Sequence, residues 1–389
     1  MIVGDVSFIV KMPNLKNRCE FSLICLMAVA LAANLNDLTS NQWKGTIRIE
    51  AGVEVLNNPK NPLYQTETSA FEPELTIRES ESNSAFSFIR ISGLLIDKDD
   101  TVYVLDSKDS NIKVFNWRGQ FLRSIGKKGQ GPGELDVPVH MDFYRATEIA
   151  VQDAGNRRLT IFGLNGDYQD SVSTSRVSLG NIKIDSAGTI YGIGIALRET
   201  KRSYELQKFD SDFNPVMTVD AADIKEMRGI SFLTAAPSFT IGKNGLIYYG
   251  FPESEYEIKA YDSAGVLVKR IQKAFVPARI PQDEKDAVAK GIKQRLDVYF
   301  PDYYPPYYDI EDNDDGRLIV LSRKYFKKRT YDFDIFDLEG RYLETKRFVP
   351  NYRASYFKWK KERLYVAEEE ESGLSVIRIY RVRWAGPQS

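Results

Sequence analysis

The sequence predicts an all-β fold in which one small antiparallel sheet repeats around a ring, and three observations predict it. Residues 101–105 (TVYVL) gather β-branched and aromatic side chains in one short run, as a half-buried pleated strand requires. The run recurs at 148–151 (EIAV), 189–192 (TIYG), 246–249 (LIYY), 318–321 (LIVL) and 363–366 (RLYV). After each copy comes a second run that ends on an aromatic residue, at Phe115, Phe162, Phe209, Tyr261, Phe336 and Tyr380. A turn follows at Gly119, Gly166, Gly265 and Gly340, and the third copy offers Asn214, a residue tolerant of positive φ. A four-strand unit of this kind cannot cover both of its faces alone and needs a neighbour on each side. Six copies therefore predict a six-bladed β-propeller with four-stranded antiparallel blades, a single ring of about 300 residues rather than the two or three domains that length alone suggests.

The first blade is the clearest. Residues 94–96 are apolar, 97–100 (DKDD) turn the chain, 101–105 form the second strand, 112–115 alternate Ile, Lys, Val and Phe, and 120–125 form the fourth. The sixth copy stops after its third strand, near Arg383, while residues 74–78 (ELTIR) read as a spare strand before blade one. The expected solution is that this N-terminal strand becomes the outer strand of blade six, closing the ring and removing an open edge. Ahead of it, residues 45–50 (GTIRIE) predict an extra strand and 57–62 a loop.

Residues 1–33 read as a secretory signal peptide, with Lys11, Lys16 and Arg18 before an apolar core at 21–31 and small-residue cleavage sites after it. That core is short for a membrane span. An uncleaved anchor or a lipid-bearing Cys25 is the alternative. Both cysteines, Cys19 and Cys25, fall in this leader, so a mature chain holds no disulfide. The expected organisation is a leader at 1–33, an extension at 34–73, and a propeller at 74–384 with an insertion at about 275–308. Localisation would be periplasmic or extracellular, with no stable membrane span once the leader is removed.

Charge is balanced at 53 basic against 54 acidic residues, which disfavours nucleic acid. The loop at 126–133 (GKKGQGPG) lacks the spacing of either phosphate-binding glycine motif and reads as an inter-blade turn. Residues 185–188, 242–245 and 312–316 read as hairpin turns; the last is acidic, but Ser322 stands where a calcium loop would want its twelfth-position acid. The longest gap between copies, 72 residues from Tyr248 to Val320, contains 281–296 with helical spacing of Val288, Ile292 and Leu296. It also contains 298–308 (VYFPDYYPPYY), whose prolines exclude a central strand. Tyr303, Tyr304, Tyr307 and Tyr308 on this loop are candidates for stacking on a glycan or peptide, or else pack the helix onto the ring.

Residues 96–135 resemble the NHL-type six-bladed β-propellers of bacterial secreted proteins. The matching positions are Asp97, Tyr103, Val104, Asp106, Phe115, Gly119, Gly126, Gly129, Gly131, Pro132, Gly133 and Glu134, with Asp100 where that pattern has Gly. The resemblance extends over roughly 70–383. The resemblance implies the fold more than an activity. The expected function, from a polar channel lined by the innermost strands and loops gathered at one rim, is an exported non-enzymatic binding or scaffold module that recognises a small ligand, glycan or envelope protein at the channel mouth, as a monomer and with no cofactor unless calcium. The alternative is a calcium-dependent hydrolase or lyase, similar to propeller lactonases, with Asp142 and Asp185 as axial metal ligands. His140 is the single histidine, which excludes a site with several His ligands. It is expected on the channel wall, as a ligand contact or as packing.

Overall fold

The computed structural model describes residues 42–64, 70–79, 86–175, 179–198, 201–224, 233–290, 292 and 298–385. The predicted leader at 1–33 lies outside them.

Six sheets make the ring. Blade 1 is Ile91–Ile96, Val102–Asp106, Asn111–Phe115 and Phe121–Ile125. Blade 2 is Pro138–Tyr144, Glu148–Asp153, Arg158–Gly163 and Tyr168–Ser173, and blade 3 is Leu179–Ile184, Ile190–Arg198, Lys201–Phe209 and Pro215–Asp223. Blade 4 begins with Ser238–Ile241, Ile247–Gly250, Glu257–Tyr261 and Leu267–Lys273, and blade 5 is Asp309–Asp312, Arg317–Tyr325, Thr330–Asp337 and Tyr342–Phe348. Blade 6 takes Arg353–Lys360, Arg363–Glu369 and Ser375–Val382 from the end of the chain. Its outer strand is Phe71–Ile77 from the beginning, antiparallel to Ser375–Val382, with Ile77 opposite Ile377 and Leu75 opposite Ile379. The first strands of successive blades touch one another in an unbroken cycle that returns from blade 6 to blade 1.

The closing strand starts earlier than its sequence suggests, at Phe71, and so includes Pro73. Proline fits there because the strand is at the sheet's edge and Pro73 faces Tyr380 at a register shift, where a missing N–H breaks no regular ladder.

Blade 4 carries two more strands than the repeat predicts. Val53–Asn58 runs parallel to Leu267–Lys273, and the exposed Thr46–Glu50 pairs antiparallel outside it. The strand at 45–50 was legible from its alternation; its partner was not, because VEVLNN ends in two asparagines that read as loop. Asn58 is buried, and its amide donates to the carbonyls of Gly340 (2.9 Å) and Gln272 (3.1 Å) while its side-chain oxygen accepts from Tyr342 N (2.7 Å). It thereby ties the extension to blades 4 and 5.

The core is the set of layers between blades. Ile77, Phe86, Phe88, Phe115, Tyr365 and Ile377 bury one another between blades 6 and 1. Equivalent layers centre on Leu135 and Phe162 between blades 1 and 2, Tyr256 and Phe336 between blades 4 and 5, and Phe333 and Trp359 between blades 5 and 6.

Hairpins are set by one device. An Asp or Asn opens the turn and its side-chain oxygen accepts the N–H groups two and four residues on. Asp97 takes Asp99 and Thr101, Asp185 takes Ala187 and Thr189, Asn313 takes Asp315 and Arg317, and Asp262 takes Ala264 and Val266. In the third copy the left-handed residue is Phe213 (φ 61), not Asn214. Asn214 is held by Asp210, and the Phe213 ring stacks on Phe209 at 4.6 Å, a contact that offsets the backbone strain.

A second device holds the connections between blades. Asp106, fully buried at the end of its strand, accepts Ile89 N (2.7 Å) and Arg90 N (3.0 Å) from the incoming chain and pairs with the buried Lys113. Asp153 accepts Asp136 N and Val137 N in blade 2, and Glu368 accepts Tyr352 N in blade 6.

Two stability outcomes follow from this geometry. Ile77→Ala removes a side chain that is 1 % exposed at the seam between blades 6 and 1, and should lower unfolding free energy by about 2–4 kcal/mol in urea titration. A loss below about 1 kcal/mol would show that the closing strand contributes little. Asp106→Ala leaves the backbone N–H groups of Ile89, Arg90, Lys108 and Asp109 without their acceptor and removes one of the two carboxylates on Lys113, Asp109 remaining at 2.7 Å, and should cost on the order of 2–4 kcal/mol. Adding Lys113→Met should recover part of that loss; no recovery would mean the charge pairing is not what Asp106 supplies.

Candidate functional site

Strand alternation turns every second residue of each first strand toward the axis. This brings Ser92 of blade 1, His140 of blade 2, Asn181 and Lys183 of blade 3, Ser238 of blade 4, Asp309 and Glu311 of blade 5, and Tyr356 of blade 6 around a cavity of about 620 Å³. One wall is apolar and comes from outside the ring of strands. The helix Gln282–Lys290 contributes Ala287 and Val288, Ile292 follows it, and the blade 5 hairpin contributes Tyr325, Phe326 and Arg329. Helix and hairpin are joined, since buried Glu284 accepts Lys327 N (3.1 Å) and Asp283 pairs with Lys327 Nζ (2.7 Å). The helix is shorter than the predicted 281–296 within the described residues.

Burial governs the titrating groups. His140 is 8 % exposed, and desolvation first, then the charge of Lys183, push its pKa down to about 3 against a weaker pull from the backbone of Ile182; it is a neutral imidazole at physiological pH. Among the described residues its Nε2 has no hydrogen-bond partner, nor does the Oγ of Ser92. Burial raises Asp142 and Glu311 above the usual carboxylate range, with Lys183 and Lys358 pulling both down again. Lys324 is lowered by burial, with its ammonium 4.8 Å above the Tyr308 ring and opposed by Asp309.

Each residue singled out from the sequence has a definite place. His140 is on the channel wall. Tyr303 is half exposed, with the Arg279 guanidinium over its ring. The other three tyrosines are not displayed on a surface. Tyr304 packs with Leu233 and Ile280 against Val288, Tyr308 joins the core between blades 5 and 6, and Tyr307 is fully buried, donating its hydroxyl to the carbonyl of Glu257 at 2.6 Å. Gly250 permits this, since a Cβ there would collide with the Tyr307 hydroxyl. The physical reason is that the prolines fold the segment back across the blade 4–5 seam, where rings bury apolar area.

Asp142 and Asp185 are not brought together as metal ligands. Asp142 accepts Ile184 N and Phe143 N (both 2.9 Å), and Asp185 is the cap of its own hairpin turn. Among the described residues no three His, Cys, Asp or Glu side chains group as cation ligands do. The acidic turn at 312–316 uses Asn313 as its cap, and Asp314 pairs with Lys360. Sequence reading missed Lys183, Asp309, Glu311 and Lys324: each is an ordinary charged residue in a strand pattern, and only the ring makes them neighbours.

This geometry is that of an all-β ring with its polar centre on the axis. A family model described as 6-bladed beta-propeller matches residues 81–281, more than half of the chain, and the protein belongs to that family. No curated protein matches the sequence. Among solved structures, a Bacteroides fragilis protein named as an exported one aligns at TM-score 0.55 and 15% identity, over 85% of this chain and 100% of its own. A Bacteroides vulgatus member of the duf4221 family aligns at TM-score 0.51 and 11% identity, over 82% of this chain and 100% of its own. At such identities the likeness is one of fold. No described helix is long and apolar enough to cross a membrane.

The depressed pKa of His140 sets a pH dependence. The unfolded chain binds a proton at this residue below about pH 6.5 and the folded chain only near 3, so its contribution is present above 6.5 and is lost as pH falls toward 3. The slope is roughly 1.4 kcal/mol per pH unit inside that window. Buried Asp142 and Glu311 oppose it near their own titrations, so the measurement is the difference between parent and His140→Gln unfolding curves at pH 7 and pH 4.5. An unchanged difference at the two pH values would mean His140 is readily protonated in the fold.

Proposed function

We propose that the protein is an exported NHL-type propeller that binds a small organic ligand in the axial cavity and does no chemistry on it. One observation carries this reading. A roofed cavity of about 620 Å³ sits at the channel mouth, within the size range of small-molecule sites, with unpartnered His140 Nε2 and Ser92 Oγ among its lining residues. Such a site offers directional hydrogen bonding and apolar contact. The acids nearest it favour binding over catalysis, because Asp142, Asp309 and Glu311 all accept from backbone N–H groups. The leader read at 1–33 and the exported fold relative support export. On this reading residues 34–73 are an extension that braces blade 4 and closes blade 6, and 74–384 is the propeller. Asp106, which holds the inter-blade connection and Lys113, supports the NHL-type pattern. Tyr303, with Tyr299 beside it in the aromatic loop, stays accessible to a glycan or a protein partner.

The single histidine makes the site directly readable. In a protein labelled at histidine, compounds from a small-molecule library that stabilise the fold are expected to move the His140 imidazole resonance. They should lose that effect in Ala287→Trp, which fills the cavity from the helix side. Stabilising compounds that leave the His140 signal unmoved would place the binding site elsewhere.

A further inference from the structure

We infer that the axial cavity selects an anionic amphiphile, a molecule with one carboxylate, sulfonate or phosphate group on an apolar body, carrying an N–H or O–H donor. The inference rests on the proposed binding role and adds the chemistry of the ligand.

The charge count at the cavity carries it. Four basic side chains line it, Lys183, Lys324, Arg329 and Arg353, against two acidic ones, Asp309 and Glu311. Among the described residues none of the four basic groups has a carboxylate within ion-pair distance. Basic groups elsewhere in the ring are commonly paired, as Lys113 is with Asp106, Lys273 with Asp334 and Arg347 with Asp332. The two acids are already engaged. Asp309 accepts the Ser238 hydroxyl and Ile310 N, and Glu311 accepts Trp359 N (3.4 Å), with burial favouring its protonated form. The lining thus carries a surplus of cations that form no direct ion pair, and the half-buried Lys183 and Lys324, beside the exposed Arg329 and Arg353, attract an anion more strongly than the same charges would in water.

The rest of the ligand is specified by the apolar side chains among the lining residues. Val288, Ile292, Phe326 and Phe357 present apolar surface that a hydrated inorganic anion would leave unused. His140 completes the pattern. A neutral imidazole has one donor nitrogen and one acceptor nitrogen, and its Nε2 has no partner among the described residues. Leaving a buried acceptor unsatisfied is costly, so a ligand donor placed there adds affinity.

Two probes that share one ring system separate the terms. Anilinonaphthalene sulfonate carries an anion, an N–H and an aromatic body; N-phenylnaphthylamine lacks only the sulfonate. The full-length protein, titrated by fluorescence with the His140 resonance followed in parallel, should bind the sulfonate at least tenfold more tightly. Affinity for the sulfonate should fall at least fivefold in Lys183→Gln and in Arg353→Gln, and should fall with added salt, while the neutral probe changes less than twofold. If both probes move His140 with affinities within threefold of each other, the cavity binds ligands but does not select anions, and the inference fails alone. Unchanged sulfonate affinity in both charge variants overturns it as well. If neither probe moves His140, the cavity does not admit this class, and the binding reading fails with it.

Discussion

A ring of sheets is stable only if every blade has a neighbour on both faces, and in a single chain that condition fails at the join unless the two ends are made to meet. Here the meeting is the pairing of Phe71–Ile77 with Ser375–Val382, which places residues some three hundred positions apart in one ladder. Loop-closure entropy grows only slowly with length, so joining distant ends is affordable once a full strand of hydrogen bonds and a buried seam reward it. The seam is apolar: Ile77 and Ile377 face Phe86, Phe115 and Val102 of blade 1. Arg363 adds a bidentate pair to Glu74 and reaches Asp100 in the first hairpin, so blades 6 and 1 are also linked by charge. Asp100, standing at a left-handed position (φ 59) that ordinarily favours Gly, thus carries an inter-blade ion pair that Gly could not make.

Polar burial inside this ring follows a division of labour. At the ends of the second strands, acids such as Asp106, Asp153 and Glu368 accept backbone N–H groups of the incoming connection, together with side-chain donors such as Lys113 on Asp106 and Arg378 and Tyr380 on Glu368, and fix the path from one blade to the next. On the axis the acids are also bonded, but other polar groups are not. His140 and Ser92 retain unpartnered atoms, and Lys183 faces carboxylates whose titration is shifted by burial. Unsatisfied polar groups cost stability, and two of them, His140 Nε2 and Ser92 Oγ, belong to residues that line the cavity walled by the helix and the blade 5 hairpin.

Much of the architecture was legible in the sequence. The TVYV-type run, the aromatic residue that follows it and the Asp/Asn-initiated turns repeat because each blade meets the same neighbours, so the same solution recurs. The orphan strand near residues 74–78 was legible by subtraction, since blade six lacked one. The strand at Val53–Asn58 was not, because a parallel partner from a distant segment leaves no local periodic trace. The helix was legible from its spacing, but its role as a wall of the axial cavity was not.

The candidate site was much less legible, and the reason is geometric. Tyr303, Tyr304, Tyr307 and Tyr308 attract notice because they are dense in sequence, yet three of them are buried once the chain folds back over the blade 4–5 seam. His140 could be placed on the channel wall from its strand position, but its neutrality depends on burial beside Lys183, which no local pattern reveals. The sequence by itself determined the repeat, the number of blades and the means of closure, because those depend on period-two alternation and turn chemistry, both local. Only the tertiary structure decided which charges share the axis, which acids are already bonded and where the helix lands, because convergence of six separate strands on one point is a property of the closed ring.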